Sequence, residues 1–347
     1  MTMSALRSGS SPLAVRPKLA LGAVAATVVA WSIGSAQAVT YNVVNIVDPL
    51  NPTFTQALGI NDASTIVGYG NATVFNGFQL VLPPVPANFA RQNVPGADGG
   101  TQVVGISGAG TTVGFSITMG VTNGFAQNGG TFTTVDQPGT AFNQLLGINK
   151  SGTTAAGYSS VMPDGATLQK AYTVSGGPTF TSPVFTSIDA ALVAQFGPNF
   201  NSQATGVNDT GTVVGFFLPT ATTSVGFLDQ TGMITQIDPF GSNFTQALGI
   251  NNSGEIVGFE VDAMGFQHGY VDIGCVPQVF DPPGSVNTTI NSVNNLGQIV
   301  GFFTDANENT IGFVATPTTT APEPGSLALL ASGLLGIGVA RRRRKAV

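Results

Sequence analysis

The chain has 347 residues, of which only 8% are charged and 46 are glycine. Ordinary soluble domains carry roughly 25% charged residues. Between the apolar stretches at its two ends, Arg91, Lys150 and Lys170 are the only Arg or Lys residues, against all seventeen acidic ones. Gly, Asn and Thr favour turns and strands, so this composition predicts an all-β domain. Its acidity argues against nucleic acid as a partner.

The first 38 residues have the order of a signal peptide. A basic segment ending at Lys18 precedes an apolar run from Leu19 to Trp31, and a small-residue segment closes with Ala36-Gln37-Ala38. The run is shorter than a membrane-spanning helix usually needs, and A-x-A is a cleavage pattern. We therefore predict export by the general secretion machinery and cleavage after Ala38 by signal peptidase. An uncleaved N-terminal anchor is the alternative.

A repeated segment fills the middle of the chain. Each copy reads Gly-Ile-Asn or a close variant, then a turn, then Val-Gly-aromatic or a close variant. The closing glycines are 46, 43, 58, 43 and 43 residues apart: Gly68, Gly114, Gly157, Gly215, Gly258 and Gly301. A Gly-aromatic pair follows each copy (Ala-Tyr once), and an apolar run ending in Asp follows most of these pairs. Each period therefore predicts four short strands, the first two joined as a hairpin.

Four strands in about 43 residues is the size of one β-propeller blade. The domain begins with residues 43–49, a fourth-strand segment with no blade before it, and ends at Gly312–Val314, a third strand with no fourth after it. Pairing these segments would close the ring and remove exposed sheet edges. We predict that residues 39–315 form a six-bladed β-propeller. A β-solenoid and stacked hairpins are the alternatives.

Two stretches depart from the repeat. The 58-residue interval contains an insertion within residues 159–203, where we predict a short helix from Asp189 to Phe196. Residues 80–100 are Pro-rich and irregular. Insertions in repeat folds form loops on one face, and that face often binds. We therefore predict Arg91 and Lys170 as ligand-binding residues, with tolerated surface loops as the alternative.

The chain ends in three distinct segments. Residues 316–326 form a Thr- and Pro-rich linker that contains Pro322-Glu323-Pro324, residues 327–340 are apolar, and residues 341–347 begin with Arg341-Arg342-Arg343-Arg344. Apolar residues partition into hydrocarbon, and basic clusters stay on the cytoplasmic side. The pattern predicts a transmembrane helix with a stop-transfer cluster. The helix falls short of the ~20 residues that a bilayer requires, which suits a temporary anchor better than an ordinary single-pass anchor.

This tail resembles the PEP-CTERM sorting tail of exported proteins in biofilm-forming Gram-negative bacteria. The Pro-Glu-Pro motif, the Gly/Leu-rich apolar run and the Arg cluster occur in that order. The resemblance implies that an exosortase, a membrane protease, recognises Pro322, Glu323 and Pro324. The protein would then be held briefly in the inner membrane before reaching the cell surface or medium. The repeat is also similar to extracellular repeats with a Gly-Ile-Asn-x-x-Gly core and a His-Gly-Phe element, complete here once as His268-Gly269-Tyr270.

Residue patterns typical of catalysis or metal binding are scarce. With one cysteine, Cys275, and one histidine, His268, no Ser-His-Asp or Cys-His arrangement can be drawn. We expect Cys275 to be buried, and we predict no cofactor, no metal and no enzymatic activity. Aspartates that recur with the repeat are interpreted as turn caps, with a calcium-binding or acid/base ring near the axis as the alternative. These aspartates are Asp48, Asp136, Asp189, Asp238 and Asp281.

The predicted function is that of an exported surface or matrix protein whose repeat domain binds polysaccharide or protein without catalysis. One alternative is a structural matrix protein with no discrete site. The other is a glycan-active enzyme, which requires two carboxyl groups at ~5–9.5 Å in a cleft. The expected partners are an exosortase-type protease, signal peptidase and the secretion machinery, together with exopolysaccharide or other surface proteins.

Overall fold

Short apolar runs separated by Gly, Asn and Asp turns give the chain its strands. The computed structural model describes residues 39–71 and 73–318. The strands are β1 (Tyr41–Ile46), β2 (Thr55–Ile60), β3 (Thr65–Asn71), β4 (Phe75–Val81), β5 (Phe89–Arg91), β6 (Gly100–Ile106), β7 (Thr112–Thr118), β8 (Val121–Asn128), β9 (Thr131–Thr134), β10 (Phe142–Ile148), β11 (Thr154–Ser160), β12 (Lys170–Ser175), β13 (Val184–Ser187), β14 (Asn201–Val207), β15 (Val213–Thr220), β16 (Thr223–Gln230), β17 (Met233–Ile237), β18 (Thr245–Ile250), β19 (Ile256–Val261), β20 (Gln267–Ile273), β21 (Val276–Phe280), β22 (Ser285–Val293), β23 (Ile299–Asp305) and β24 (Thr310–Pro317). A 3₁₀ turn covers Pro86–Asn88, and helix α1 covers Asp189–Phe196 as predicted.

The strands form antiparallel units of four. In chain order these are unit 1 (β2–β5), unit 2 (β6–β9), unit 3 (β10–β13), unit 4 (β14–β17), unit 5 (β18–β21) and unit 6 (β22–β24 with β1). The arrangement is all-β and resembles a β-propeller. Units 3 to 6 form four separate four-stranded sheets, whereas the repeat predicts six separate blades. Units 1 and 2 are continuous in one eight-stranded sheet, because a single parallel bridge joins Phe75 of β4 to Gly100 of β6. Gly100 permits this approach, since a Cβ there would lie 2.3 Å from the Phe75 carbonyl oxygen.

The two ends of the domain meet in unit 6. Strand β1 pairs antiparallel with β24, in a register that runs from Tyr41 opposite Pro317 to Ile46 opposite Gly312. Ile46 is fully buried in an apolar cluster with residues of units 1 and 6. The prediction that the N-terminal strand completes the last unit is confirmed. This pairing covers an edge of β24 that would otherwise be open to other chains.

The repeated glycines allow close approach of strands and rings. The innermost strands of neighbouring units meet at the glycine of Gly-Ile-Asn: a Cβ on Gly147 would lie 2.4 Å from the Thr205 carbonyl oxygen of the next unit. The later glycine of each copy leaves room for the aromatic ring of the following strand. A Cβ on Gly68, for example, would lie 2.9 Å from the Phe78 ring. Phe78 and its counterparts are almost fully buried between units, where each ring contributes roughly 1.5–3 kcal/mol of apolar burial.

Asparagines in the repeated turns of units 1, 4, 5 and 6 each link their unit to the next. The Asn251 side chain accepts hydrogen bonds from the backbone N–H groups of Ser253 and Glu255, and its Nδ2 donates to the Asn294 carbonyl oxygen. Asn294 in turn donates to the Asn61 carbonyl oxygen at 3.0 Å, which joins unit 6 to unit 1. Asn61 then donates to the Ser107 carbonyl oxygen of unit 2. The Gly-Ile-Asn motif is thus explained by inter-unit contacts.

Two further predictions concern single features. Cys275 is exposed at the β20–β21 turn with a φ of +64°, so the prediction of a buried cysteine is wrong. Cys275 is exposed because it lies in a hairpin turn and not on a core-facing strand position. No helix within residues 39–71 and 73–318 is both long enough and apolar enough to cross a membrane. The predicted signal peptide (1–38) and transmembrane helix (327–340) lie outside those residues.

Candidate functional site

A β-bulge occurs at the same repeat position in all six innermost strands. In unit 1 the pairing register shifts between Ala57 and Gly59, and the other units repeat the shift. A bulge leaves one residue unpaired and redirects its side chain. The bulged residues form one ring around the central axis: Leu58, Val104, Leu146, Thr205, Leu248 and Asn291. This bulge ring separates a narrow end of the axial channel from a wide end.

The wide end is a funnel of about 650 Å³, within the 300–1,000 Å³ typical of small-molecule sites. A ring of amide side chains lies just above the bulge ring, with a threonine in the sixth unit: Gln56, Gln102, Gln144, Gln203, Gln246 and Thr289. We call this set the amide ring. All five glutamines are half-buried, and only Gln203 donates its side-chain amide to another described residue, Gln169 at 2.9 Å. Their remaining donors and acceptors are therefore open to a ligand.

Aromatic side chains from the second strands complete the funnel wall. These are Phe115, Phe216, Phe259 and Phe302. None of the described residues that line the funnel carries a formal charge. Amide groups both donate and accept hydrogen bonds, and phenyl faces cover apolar surface. The funnel is therefore suited to an uncharged ligand with many hydroxyl or amide groups and some apolar faces.

The narrow end of the channel is filled by the repeated turns. It has a volume of about 70 Å³, and Lys150 Nζ lies 2.5 Å from Asp62 Oδ2 across it. The intervening unit has Gly108 at the equivalent position, so the lysine side chain has room to reach Asp62. The hydrogen bond and charge of Asp62 raise the pKa of Lys150. This ion pair and the turn asparagines narrow this end of the axis, and we assign it no ligand.

The predicted ligand residue Arg91 is engaged within the fold. Its guanidinium makes two bonds to Asp48, Nη1 to Oδ2 at 2.7 Å and Nη2 to Oδ1 at 2.5 Å. Asp48 is fully buried and also accepts from the Leu50 N–H and the Asn51 amide. Burial raises the pKa of Asp48, but the bonds from Arg91, Leu50 and Asn51 and the charge of Arg91 outweigh it, so the pKa lies below its usual value. Arg91 does not line the funnel.

Lys170 is held in a similar way. Its Nζ lies 3.2 Å from Asp189 Oδ2 and 5.9 Å from the centre of the Phe200 ring. Four of the five recurring aspartates accept from nearby backbone N–H groups, as interpreted from the sequence; Asp136, for example, accepts from the Gly124 N–H at 2.9 Å. Asp189 instead accepts from the Ser202 hydroxyl. None of the five recurring aspartates lines either end of the axial channel. The structure therefore does not bring them together in a central ring.

Sequence reasoning missed the amide ring, although its signal is present. Five copies of the repeat have glutamine three residues before the glycine of Gly-Ile-Asn or its variant, as in Gln56-Ala-Leu-Gly59 and Gln246-Ala-Leu-Gly249. Repetition alone does not reveal which way a side chain points. Alternation places this position and the bulged residue two places later on the same face of the strand, but it does not show which of the two faces is turned toward the axis.

The remaining predicted residues lie outside the described part of the chain: Ala36, Ala38, Pro322, Glu323, Pro324 and Arg341 to Arg344. Residues 320–345 match the family model described as the PEP-CTERM protein-sorting motif. This match supports exosortase processing and export to the cell surface. It covers the tail only, and it leaves the family of the repeat domain unassigned. No curated protein matches the chain.

Several solved structures are similar to the repeat domain. TolB from Acinetobacter baumannii is 8% identical with a TM-score of 0.47, and the alignment covers 75% of this chain and 65% of that one. The β-propeller domain of the Trilobed protease from Pyrococcus furiosus is 8% identical with a TM-score of 0.44, covering 77% and 84%. The fucose-specific lectin from Aleuria aurantia is 11% identical with a TM-score of 0.45, covering 78% and 97%. The chain thus spans less than two thirds of the TolB chain, and likenesses this distant assign no function.

Proposed function

We propose that this exported protein is a non-catalytic binding module whose axial funnel holds an uncharged segment of a polysaccharide. The observation that carries the proposal is the amide ring, five glutamines at one repeat position in a funnel without formal charge. A sugar ring presents neighbouring hydroxyl groups that both donate and accept, as the glutamine amides do. Its C–H faces match the phenyl rings of Phe115, Phe216, Phe259 and Phe302.

The depth of the funnel suits an end or a bend of a chain. The bulge ring narrows the channel below the amide ring, so a ligand that enters the mouth stops there. Four of its six residues are aliphatic, while Thr205 donates its hydroxyl to the Val214 and Ala247 carbonyl oxygens. Polar contacts to a ligand would therefore come mainly from the amide ring above. Several such amides at equal heights favour a ligand with hydroxyls around its circumference.

Export places such a domain where polysaccharide is found. We propose that residues 1–38 are removed after Ala38, that residues 327–340 anchor the protein briefly in the inner membrane, and that Arg341–Arg344 hold the tail on the cytoplasmic side. Exosortase would then act at Pro322-Glu323-Pro324 and leave the repeat domain at the cell surface or in the biofilm matrix. The extracellular-repeat resemblance of the Gly-Ile-Asn segments is consistent with that destination.

The test is co-sedimentation of the full chain, in mild detergent, with exopolysaccharide from its own organism. Release of reducing ends is followed in the same tubes. We expect binding without release. The double variant Gln102→Ala/Gln144→Ala should bind about tenfold more weakly, because two hydrogen bonds are worth roughly 1–3 kcal/mol together.

The matched control is Gln230→Ala/Gln236→Ala, which removes two exposed glutamines from the outer strands of unit 4. It should bind as the unchanged protein does. Equal loss in both double variants would place the binding elsewhere. Release of reducing ends would contradict the non-catalytic proposal, and absence of binding would favour a purely structural matrix protein.

A further inference from the structure

The funnel departs from the repeat in unit 6 at two successive inward positions. In the amide ring, unit 6 has Thr289 where the other five units have glutamine. In the bulge ring it has Asn291, where four units have leucine or valine and unit 4 has Thr205. The two changes give an otherwise repetitive ring one distinct side. A ligand whose substituents differ around its circumference can be oriented by such a side.

Thr289 leaves more space on its side of the funnel than the glutamines do, because a glutamine side chain extends further by a whole amide group. The Thr289 hydroxyl accepts a hydrogen bond from Gln267 Nε2, and only 6% of the residue is exposed, so it stays within the wall. Both Thr289 and Asn291 line the funnel. A group that enters on the unit 6 side therefore passes Thr289 and reaches Asn291.

The fold does not hold the Asn291 amide in place. Its Oδ1 is buried without a hydrogen-bond partner among residues 39–71 and 73–318, and its Nδ2 donates to none of them. Thr205, the other polar member of the bulge ring, donates its hydroxyl to the Val214 and Ala247 carbonyl oxygens. Buried polar groups in proteins are usually paired, and an unpaired acceptor destabilises a fold. Because the last torsion of an asparagine side chain is broad, the amide can turn toward a ligand at little cost.

Aliphatic side chains surround this amide at the floor of the funnel. The bulge ring contains Leu58, Val104, Leu146 and Leu248, and none of the described residues that line the funnel carries a formal charge. The ring also borders the narrow end, whose volume of about 70 Å³ leaves room for a group of methyl size. A hydroxyl group alone would leave the aliphatic surface without an apolar contact, and a carboxylate would lose its hydration without gaining a cation. The floor is therefore matched by a small uncharged group that has a donor, an acceptor and an apolar end.

An acetamido group has these three parts. We propose that the floor of the funnel binds the acetamido group of an N-acetylated sugar. The methyl group packs against Leu58, Leu146 and Leu248, and the N–H group donates to Asn291 Oδ1. The amide ring then binds the hydroxyl groups of the same sugar. This proposal rests on the proposed function, because it names the class of sugar that the funnel holds.

The test compares the methyl glycosides of N-acetylglucosamine and glucose, which differ only in the acetamido or hydroxyl group at one carbon. Ligand-observed saturation-transfer NMR with the full chain in mild detergent gives both affinities and identifies the ligand protons nearest the protein. We expect the N-acetylated sugar to bind about tenfold more tightly, from one hydrogen bond and one buried methyl group, with the strongest saturation at the acetyl methyl protons. Asn291→Leu, which gives unit 6 the residue of units 1, 3 and 5, should remove the preference, because the buried acetamido N–H would then have no acceptor.

The matched control is Asn307→Leu, which makes the same change at an exposed turn of unit 6 outside the funnel lining, and it should keep the preference. Thermal unfolding shows whether each variant is folded; Asn291→Val, with the residue of unit 2, takes the place of Asn291→Leu if the latter is not. Equal affinity for the two sugars, or a preference that survives the loss of Asn291, would overturn the inference. If exopolysaccharide binding still requires Gln102 and Gln144 in that case, the proposed function stands without it.

Discussion

The ion pair of Arg91 with Asp48 should be among the most important polar contacts for stability. Arg91 belongs to β5 of unit 1, whereas Asp48 lies two residues after β1, which closes unit 6. Arg91→Met keeps most of the side-chain length but leaves Asp48 as a fully buried carboxylate without its cation. Removing one partner of a buried pair costs about 3–5 kcal/mol. Arg91 is 29% exposed, so we expect the lower end, about 3 kcal/mol, or a fall of about 6–12 °C in Tm.

The pH dependence of this loss has a defined sign. The pKa of Asp48 is lowered in the folded protein. Its contribution to the free energy of unfolding is therefore fully present above its unfolded pKa of about 3.9, and it is lost as the pH falls through the lower pKa of the folded protein. Without Arg91, the hydrogen bonds from Leu50 and Asn51 still lower the pKa of Asp48, but they oppose its burial without the bonds and charge of Arg91, so the pKa rises relative to the unchanged protein. The difference in unfolding free energy between the two proteins should therefore be largest at neutral pH and shrink below about pH 4.

Urea unfolding of the full chain, followed by circular dichroism at several pH values, measures this difference. Lys170→Met is the control, because its ion pair with Asp189 is more exposed and should contribute no more than about 1 kcal/mol. A loss under 1 kcal/mol in Arg91→Met, or a loss that does not depend on pH, would refute the reasoning. Arg91 would then be free for the ligand role that the sequence suggests.

Three further outcomes are expected. Gly147→Ala should destabilise the fold by about 1–3 kcal/mol in urea unfolding, because its Cβ would meet the Thr205 carbonyl oxygen, while Ser292→Ala at the same repeat position should change little. Asn294→Ala should cost about 1–3 kcal/mol in the same assay, since it removes the bond to the Asn61 carbonyl oxygen and the acceptor of the Leu296 and Gln298 N–H groups. His268 has a pKa raised by Asp281 and Asp262, so its stabilisation is complete below its unfolded value of about 6.5 and is lost as the pH rises through the folded value. The stability advantage over His268→Gln should therefore fall between pH 5 and pH 9, and an advantage that grows over that range would contradict the assignment.

The repeat made much of the fold predictable, because its period depends on local turn chemistry. The Asn turns, the Gly-aromatic pairs and the capping aspartates each satisfy a requirement within a unit or between neighbours, so they recur with the fold. The unpaired first strand likewise predicted the β1–β24 closure. The joining of units 1 and 2 was not predictable, since it depends on one bridge at Gly100 that no periodicity marks.

The candidate site was harder to predict than the fold for a physical reason. Arg91 and Lys170 are the basic residues of the two irregular stretches, and this made them the predicted ligand residues in an acidic chain. In the structure, however, they pair with the carboxylates of Asp48 and Asp189. The funnel instead presents uncharged glutamines, and the sequence does not show which face of each inner strand is turned toward the axis.

The most direct test of the account is hydroxyl-radical footprinting of the protein with and without bound exopolysaccharide. Oxidation rates are read by mass spectrometry at Phe259 and Phe302 in the funnel and at exposed Met119 and Met233 outside it. The account predicts that the bound polymer slows oxidation of the two phenylalanines and leaves the two methionines unchanged. Unchanged rates at Phe259 and Phe302 while the polymer is bound would contradict the funnel as the binding site.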